Sequence, residues 1–248
     1  MENNRMRLYL LQTAIYADGD ARAPFPAYLI QTDDGKNVLV DTGVDEGYVA
    51  RTVNPNGERV IVRQEAEKLP NQLAALGLQP ADIDYVVSTH FDEDHCGGNR
   101  LFSRAEFIVQ RSHYDLACSG RERRFEICRA AWDALELHYH LVDGDLELLP
   151  GIRLLVTDGH VTGHQSVLVR LPNTGPVLLA IDAIRDGDML LPGMDPRAIS
   201  MFDMDGDKLL EGVHKLQSVM EREGVAFTVF GHDWKRWLPL RKTPAWYD

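Results

Sequence analysis

Short apolar runs punctuated by polar turns dominate the chain, and only a few stretches carry apolar residues at helical spacing. In the first third, Leu8 to Leu11, Ala27 to Thr32 and Asn37 to Val40 read as strands, and Asp33-Asp34-Gly35 between the last two reads as a hairpin turn. Residues Glu65 to Leu76 combine helix formers with apolar positions on one face, and Gly77 stops them. Ile83 to Val87 is then a buried strand that runs into Ser88-Thr89-His90. Further on, Glu106 to Val109 predicts a strand and Arg121 to Leu137 a charge-rich helix. Ile152 to Val156, Ser166 to Arg170 and Val177 to Ile181 predict strands separated by turn-rich loops. Asp205 to Glu223 is the clearest helix: Asp205 is placed to cap it, and Leu209, Leu210, Val213, Leu216, Val219 and Met220 share one face. Val225 to Phe230 closes the series as a strand. Strands in two groups with helices between them predict a layered α/β domain, not a solenoid or a bundle.

The 248 residues suffice for one substantial core and read as a single domain over 1–248. Hydrophobic residues at 44% and charged ones at 26% fit a soluble globular protein. The N-terminus, MENNRMRLYLLQ, holds no apolar run of signal-peptide length, and no stretch approaches the roughly 20 apolar residues of a membrane span. A cytoplasmic protein with no membrane partner is expected. The net charge of -12 is spread along the chain, a field that repels phosphate backbones and argues against nucleic acid. Cys96, Cys118 and Cys128 are odd in number and lack zinc-finger spacing, so they read as free thiols.

The chemistry concentrates in Ser88-Thr89-His90-Phe91-Asp92-Glu93-Asp94-His95-Cys96-Gly97-Gly98-Asn99, directly after an apolar strand. Alternate residues of an extended segment point the same way, and a turn eased by Gly97 and Gly98 can fold Asp94 and His95 back beside His90 and Asp92. Imidazoles and carboxylates are the groups that hold Zn, Fe or Mn. Three further segments repeat the theme. Asp158-Gly159-His160-Val161-Thr162-Gly163-His164 lies between two predicted strands; Leu178 to Ile181 is an apolar strand ending in Asp182; and Val229-Phe230-Gly231 delivers His232. A carboxylate at the end of a buried strand is costly unless it is paired or binds a cation.

On these motifs the chain resembles the metallo-β-lactamase superfamily, whose H-x-H-x-D-H motif stands here as HFDEDH. Within it, PFPAYLI, VDTG, TH-x5-GGN, GH-x2-GHQS, IDA and FGHD are similar to the N-acyl-homoserine lactonases, which quench quorum sensing, and to 4-pyridoxolactonases. The resemblance implies an αββα sandwich with two divalent metal ions at one edge of its sheets, zinc before iron, manganese or cobalt. It places His90, Asp92 and His164 on the first metal, Asp94, His95 and His232 on the second, and Asp182 across both. His160 falls at a position read as loop-shaping or supporting. Asp41, at a strand end, reads equally as an orienting partner of a ligand or as an Asx-turn residue. The implied reaction is opening of a lactone by a hydroxide bridging the metals, with Asp94 handling the proton. The implied partner is the small-molecule lactone, and a homodimer stays open.

Two residues depart from the family's pattern. Asp92 stands where the motif has its second histidine, which makes the site less positive by one charge and predicts activity at higher pH, or iron or manganese competing with zinc. Flavodiiron proteins, which are oxidoreductases of the same superfamily, are similar in carrying a carboxylate there. A di-iron redox member or a degenerate metal binder is therefore a second reading. Arg185 stands three residues after Asp182, where the lactonases have a tyrosine; it reads as an oxyanion or carboxylate partner or as a surface residue, and it is a poor general acid. Tyr16, Tyr28 and Tyr48 are the alternative phenols. The segment Val44 to Val62 reads as a lid over the substrate or as a long surface loop.

Overall fold

The computed structural model describes residues 6–198 and 202–248, so residues 1–5 of the segment read for a leader lie outside it. Seven strands, β1 (Arg7–Asp18), β2 (Ala21–Gln31), β3 (Asn37–Val40), β4 (Ile61–Val62), β5 (Tyr85–Val87), β6 (Glu106–Gln110) and β7 (His138–Val142), form one sheet in the order β4-β1-β2-β3-β5-β6-β7. The second sheet comprises β8 (Leu146–Leu149), β9 (Ile152–Val156), β10 (Gln165–Leu171), β11 (Gly175–Ile181) and β12 (Phe227–Phe230), in the order β12-β11-β10-β9-β8. Strands β3, β5, β6 and β7 run parallel, as do β11 and β12.

Period-2 alternation explains why these strands are apolar throughout instead of on one face. Leu8, Leu10, Tyr28, Ile30, Val38 and Val40 meet Val167, Val169, Val177, Leu179 and Ile181 between the sheets. Their neighbours face the other way. Tyr9, Leu11, Leu29 and Leu39 pack under the helix α2 (Leu69–Ala75) through Leu69 and Leu73. Leu168, Leu178 and Ala180 pack under the long helix α7 (Gly206–Glu223) through Leu209, Val213 and Leu216. The layers are helix, sheet, sheet, helix, the αββα sandwich that the motifs implied.

Several elements differ from the sequence reading. The Glu65–Leu76 helix is a 3-10 turn at Glu65–Glu67 followed by α2, because Pro70 has no N–H to continue a helical ladder. The single helix over Arg121–Leu137 is instead two short ones, Arg123–Glu126 and Arg129–Trp132. At the break the Phe125 carbonyl accepts the Trp132 indole N–H and the Cys128 thiol turns to the Phe91 carbonyl, so side-chain donors replace the helix's own. Trp132 then stacks on Phe91 at 5.0 Å between ring centroids. Strands β7 and β8 went unread because they lie at sheet edges, with exposed and half-buried positions intermixed. The Val44–Val62 segment is neither a bare loop nor detached: it holds a helix, Glu46–Arg51, and strand β4, and an Arg51–Glu93 ion pair ties it to the HFDEDH segment. Asp205 does cap α7, its side chain accepting from the backbone of Asp207 and Lys208. No helix among the described residues is long and apolar enough to cross a membrane. All three cysteines are free.

Candidate metal centre

The ends of β3, β5, β11 and β12 open on one rim of the sandwich, joined there by the loop between β9 and β10. Each delivers polar groups. Asp41 follows β3, the segment from His90 to His95 follows β5, Asp182 follows β11, His232 follows β12, and His160 and His164 lie in the β9–β10 loop.

Two backbone features aim these side chains. Ile181, immediately before Asp182, has φ 52° and ψ -139°, and Asp41 has φ 57°. A β-branched residue at positive φ is strained by about 1–3 kcal/mol and persists only where its surroundings over-determine it. Here the strain turns Asp182 off the strand and into the rim. Gly231 makes this possible, since a Cβ at that position would stand 2.6 Å from Asp182 Oδ1 and 2.7 Å from the Ile181 carbonyl oxygen.

Four imidazoles share one arrangement. Nδ1 of His90 contacts Thr89 Oγ1 at 3.0 Å, that of His95 contacts Asp41 Oδ2 at 2.8 Å, that of His160 contacts Asp203 Oδ1 at 2.8 Å, and that of His232 contacts the Pro24 carbonyl at 2.9 Å. Each Nε2 therefore turns inward, toward the carboxylates. His160 Nε2 lies 3.1 Å from Asp92 Oδ2 and 3.4 Å from Asp182 Oδ2, and His90 Nε2 lies 3.3 Å from Asp92 Oδ2. His95 Nε2 is 3.6 Å from Asp182 Oδ1 and 3.7 Å from Asp94 Oδ2; His232 Nε2 is 3.2 and 3.6 Å from the same two atoms. Ligand atoms of His90, Asp92 and His160 lie within 4.8 Å of one another, as do those of Asp94, His95 and His232, and those of His90, His95 and Asp182. The two outer trios are joined through Asp182.

His164, expected on the first metal, is in none of these three groups. Its Nδ1 contacts Thr157 Oγ1 at 2.8 Å and its Nε2 accepts the backbone N–H of Asp182 at 3.3 Å, so both ring nitrogens are taken. His160, read as a supporting residue, occupies the inward position instead. Asp41 resolves in favour of the orienting role: besides His95 it accepts the backbone N–H of Thr89 at 2.9 Å and the Thr89 hydroxyl at 2.8 Å. Arg185 lines the cavity but donates to Asp203 Oδ2 at 3.0 Å, so it bears on the carboxylate behind His160.

Three buried polar atoms at the centre, His90 Nε2, His95 Nε2 and Asp182 Oδ1, make no hydrogen bond. Leaving such groups without a partner costs about 1–3 kcal/mol each. Unpartnered polar atoms that converge on one spot, drawn from imidazole and carboxylate, make up the ligand set of a first-row transition-metal site. The electrostatics agree. Burial, reinforced by neighbouring imidazoles, holds His90 and His164 well below the usual histidine range. His95 behaves oppositely: against burial, the carboxylates of Asp94, Asp182 and Asp41 lift it to about 10. Against burial, Asp182 likewise lifts His160 and His232. A field that draws protons onto buried imidazoles draws cations there too.

Sequence reasoning passed over three supporting residues. Asp203 lies in a loop with no motif of its own. Arg124 sits among the charges of the supposed long helix, and it clamps Asp92 through Nε to Oδ1 at 2.7 Å and Nη2 to Oδ2. His113, fully buried, accepts the Phe91 N–H at 2.8 Å through Nε2 and contacts the Thr162 carbonyl at 2.8 Å through Nδ1, bracing the two motif loops together.

The rim opens into a cavity of about 590 Å³ whose walls include Tyr16, Phe25, Tyr48 and Phe202 and whose floor includes Asp92, Asp94, His160, Asp182 and His232.

Residues 26–239 match the metallo-beta-lactamase superfamily profile over most of the chain. The chain belongs to that superfamily. Among relatives, an N-acyl homoserine lactonase of a Bacillus species is 34% identical over 85% of this chain and 81% of its own length. The AttM N-acyl homoserine lactonase of Azorhizobium caulinodans is 32% identical over 98% of this chain and 99% of its own. Of the solved structures of superfamily members, an N-acyl homoserine lactone hydrolase with N-hexanoyl-L-homoserine bound at its catalytic metal centre superimposes with a TM-score of 0.82. It is 28% identical, and the match covers 98% of this chain and all of that one. AidC, a dizinc lactonase with a TM-score of 0.71 over 99% of this chain and 94% of its own, shares the fold at 16% identity.

Proposed function

We propose that this superfamily member is a metal-dependent lactonase that opens the ring of N-acyl homoserine lactones, the substrates named for its relatives at 31–34% identity. The observation that carries this reading is the convergence of inward-facing His90, His95, His160 and His232 on the Asp182 carboxylate beneath a ligand-sized cavity.

In this reading His90, Asp92 and His160 hold one divalent cation, Asp94, His95 and His232 hold a second, and Asp182 spans both, with zinc as the preferred metal. Such a pair of ions, when bound, supplies Lewis acidity to an ester carbonyl and makes water a nucleophile near neutral pH. The protein's residues do the rest. Phe25, Phe202 and the phenol faces of Tyr16 and Tyr48 provide the apolar wall against which an acyl chain lies. Asp94 faces the cavity beside His95 and His232, placed to take a proton from the attacking water. As the acyl carbon–oxygen bond of the ring breaks, Asp94 returns that proton to the departing oxygen, leaving an acyl-homoserine. Through Asp203, Arg185 holds the His160 ring in place.

The test is proton release on addition of N-hexanoyl homoserine lactone, against an aryl lactone as comparison. Release with the former, lost in Asp94→Asn, supports the assignment. Hydrolysis of the aryl lactone alone would move the substrate toward the 4-pyridoxolactone class, and oxygen consumption without hydrolysis would favour a di-iron redox protein.

A further inference from the structure

The Asp92 carboxylate is set between two imidazoles, with Oδ2 3.3 Å from His90 Nε2 and 3.1 Å from His160 Nε2. It is also held edge to edge by the Arg124 guanidinium, Nε on one oxygen and Nη2 on the other. The fork is itself anchored, since Arg124 Nη1 donates to the Phe202 carbonyl at 2.8 Å, and Nη2 lies 3.2 Å from His160 Nε2. Arg124 is only 25% exposed and Asp92 14%, so solvent screens this pair weakly. Two parallel N–H···O bonds fix both the plane of the carboxylate and its charge environment.

We propose that Asp92 and Arg124 act as one unit: the guanidinium offsets the carboxylate's charge and fixes its orientation, so that the pair is electrostatically equivalent to a single neutral ligand. Arg124 is a positioning residue for cation binding. The inference rests on the dimetal reading and carries a consequence opposite to the one that sequence alone suggests. Counting Asp92 by itself, a histidine at 92 removes a surplus negative charge and tightens zinc. With Arg124 present, the same substitution strands a partly buried cation against His160, where it repels the metal. Asp92→His alone therefore weakens metal binding, and removing the arginine charge as well restores it.

The experiment titrates zinc into the full chain after chelator stripping, in competition with a chromophoric zinc chelator, for the native protein, Asp92→His, Asp92→His/Arg124→Gln and Asp92→His/Arg124→Lys. Circular dichroism confirms that each is folded. Asp92→His should bind the weaker-held zinc at least about tenfold less tightly. Adding Arg124→Gln should recover the native affinity to within about threefold, whereas Arg124→Lys, which keeps the charge, should not. Affinity in Asp92→His equal to or above the native value, or equal recovery by Gln and Lys, would overturn the proposal. Native protein that takes up fewer than two zinc ions would instead undo the dimetal reading, so the two failures are distinguishable.

Discussion

His160 and Asp203 form a buried pair, imidazole Nδ1 2.8 Å from carboxylate Oδ1, that turns the other ring nitrogen toward Asp92 and Asp182. A carboxylate behind an imidazole fixes its tautomer and raises its basicity as a ligand. Asp41 does the same for His95. The centre thus has two carboxylate-backed imidazoles, one serving each trio, which is a more specific statement than that the site is rich in histidine.

The two histidines of the β9–β10 loop should separate cleanly on substitution. His160→Ala should lose one of the two metal equivalents while keeping the fold. His164→Ala should keep both metals at saturating zinc but lose about 2–4 kcal/mol of stability, because it leaves Thr157 and the Asp182 N–H without their buried partner. Metal analysis alongside urea denaturation checks both, and the reverse pattern would return His164 to the first metal.

Metal binding should release protons at neutral pH. Without cations His95 holds its proton up to about pH 10 because, against burial, Asp94, Asp182 and Asp41 stabilise the charged ring. A cation requires the Nε2 lone pair, so loading displaces a proton and affinity rises with pH through the neutral range. Calorimetric titration in buffers of different ionisation enthalpy measures that proton directly; a buffer-independent heat at pH 7 would contradict it.

Acid should loosen the site from beneath. Burial depresses His113 from 6.5 to about 4, so the folded chain keeps it neutral where the unfolded chain binds a proton. Its contribution is complete above pH 6.5 and falls as pH drops through 4, by roughly 3 kcal/mol in all. Urea midpoints measured across that window should fall more steeply in the native protein than in His113→Gln. Parallel curves would show that the brace carries no such linkage.

Gly231→Ala should damage the centre out of proportion to its size. The added methyl stands 2.6 Å from Asp182 Oδ1, with the Ile181 backbone behind it, and neither can retreat without moving β11 or the carboxylate. Stability should fall by about 1–3 kcal/mol, with metal uptake reduced at both positions. Full uptake of two ions would show that Asp182 tolerates the displacement.

A layered α/β domain was legible because its core strands are apolar on both faces: runs such as Leu178 to Ile181 cannot sit on a solvated sheet; the order of the layers came from the family resemblance. The strand ends carrying Asp182 and His232 were legible for the same reason, since a polar residue closing such a run needs a partner. The choice between His160 and His164 was not. Both lie in one glycine-rich loop, and what separates them is which ring nitrogens are consumed by Thr157 and by the Asp182 backbone, a matter of tertiary packing. Arg124 was hidden in the same way, one arginine among several in a stretch whose helical pattern conceals a break at Cys128. Counting Asp92 as a lone charge followed from missing it.

The most direct test is the metal content of the full chain purified without chelator, measured by elemental analysis beside Asp182→Ala. About two equivalents of divalent transition metal per native chain are predicted, and loss at both positions in the variant. Fewer than one equivalent in the native protein, or two retained without Asp182, would contradict a centre built around that carboxylate.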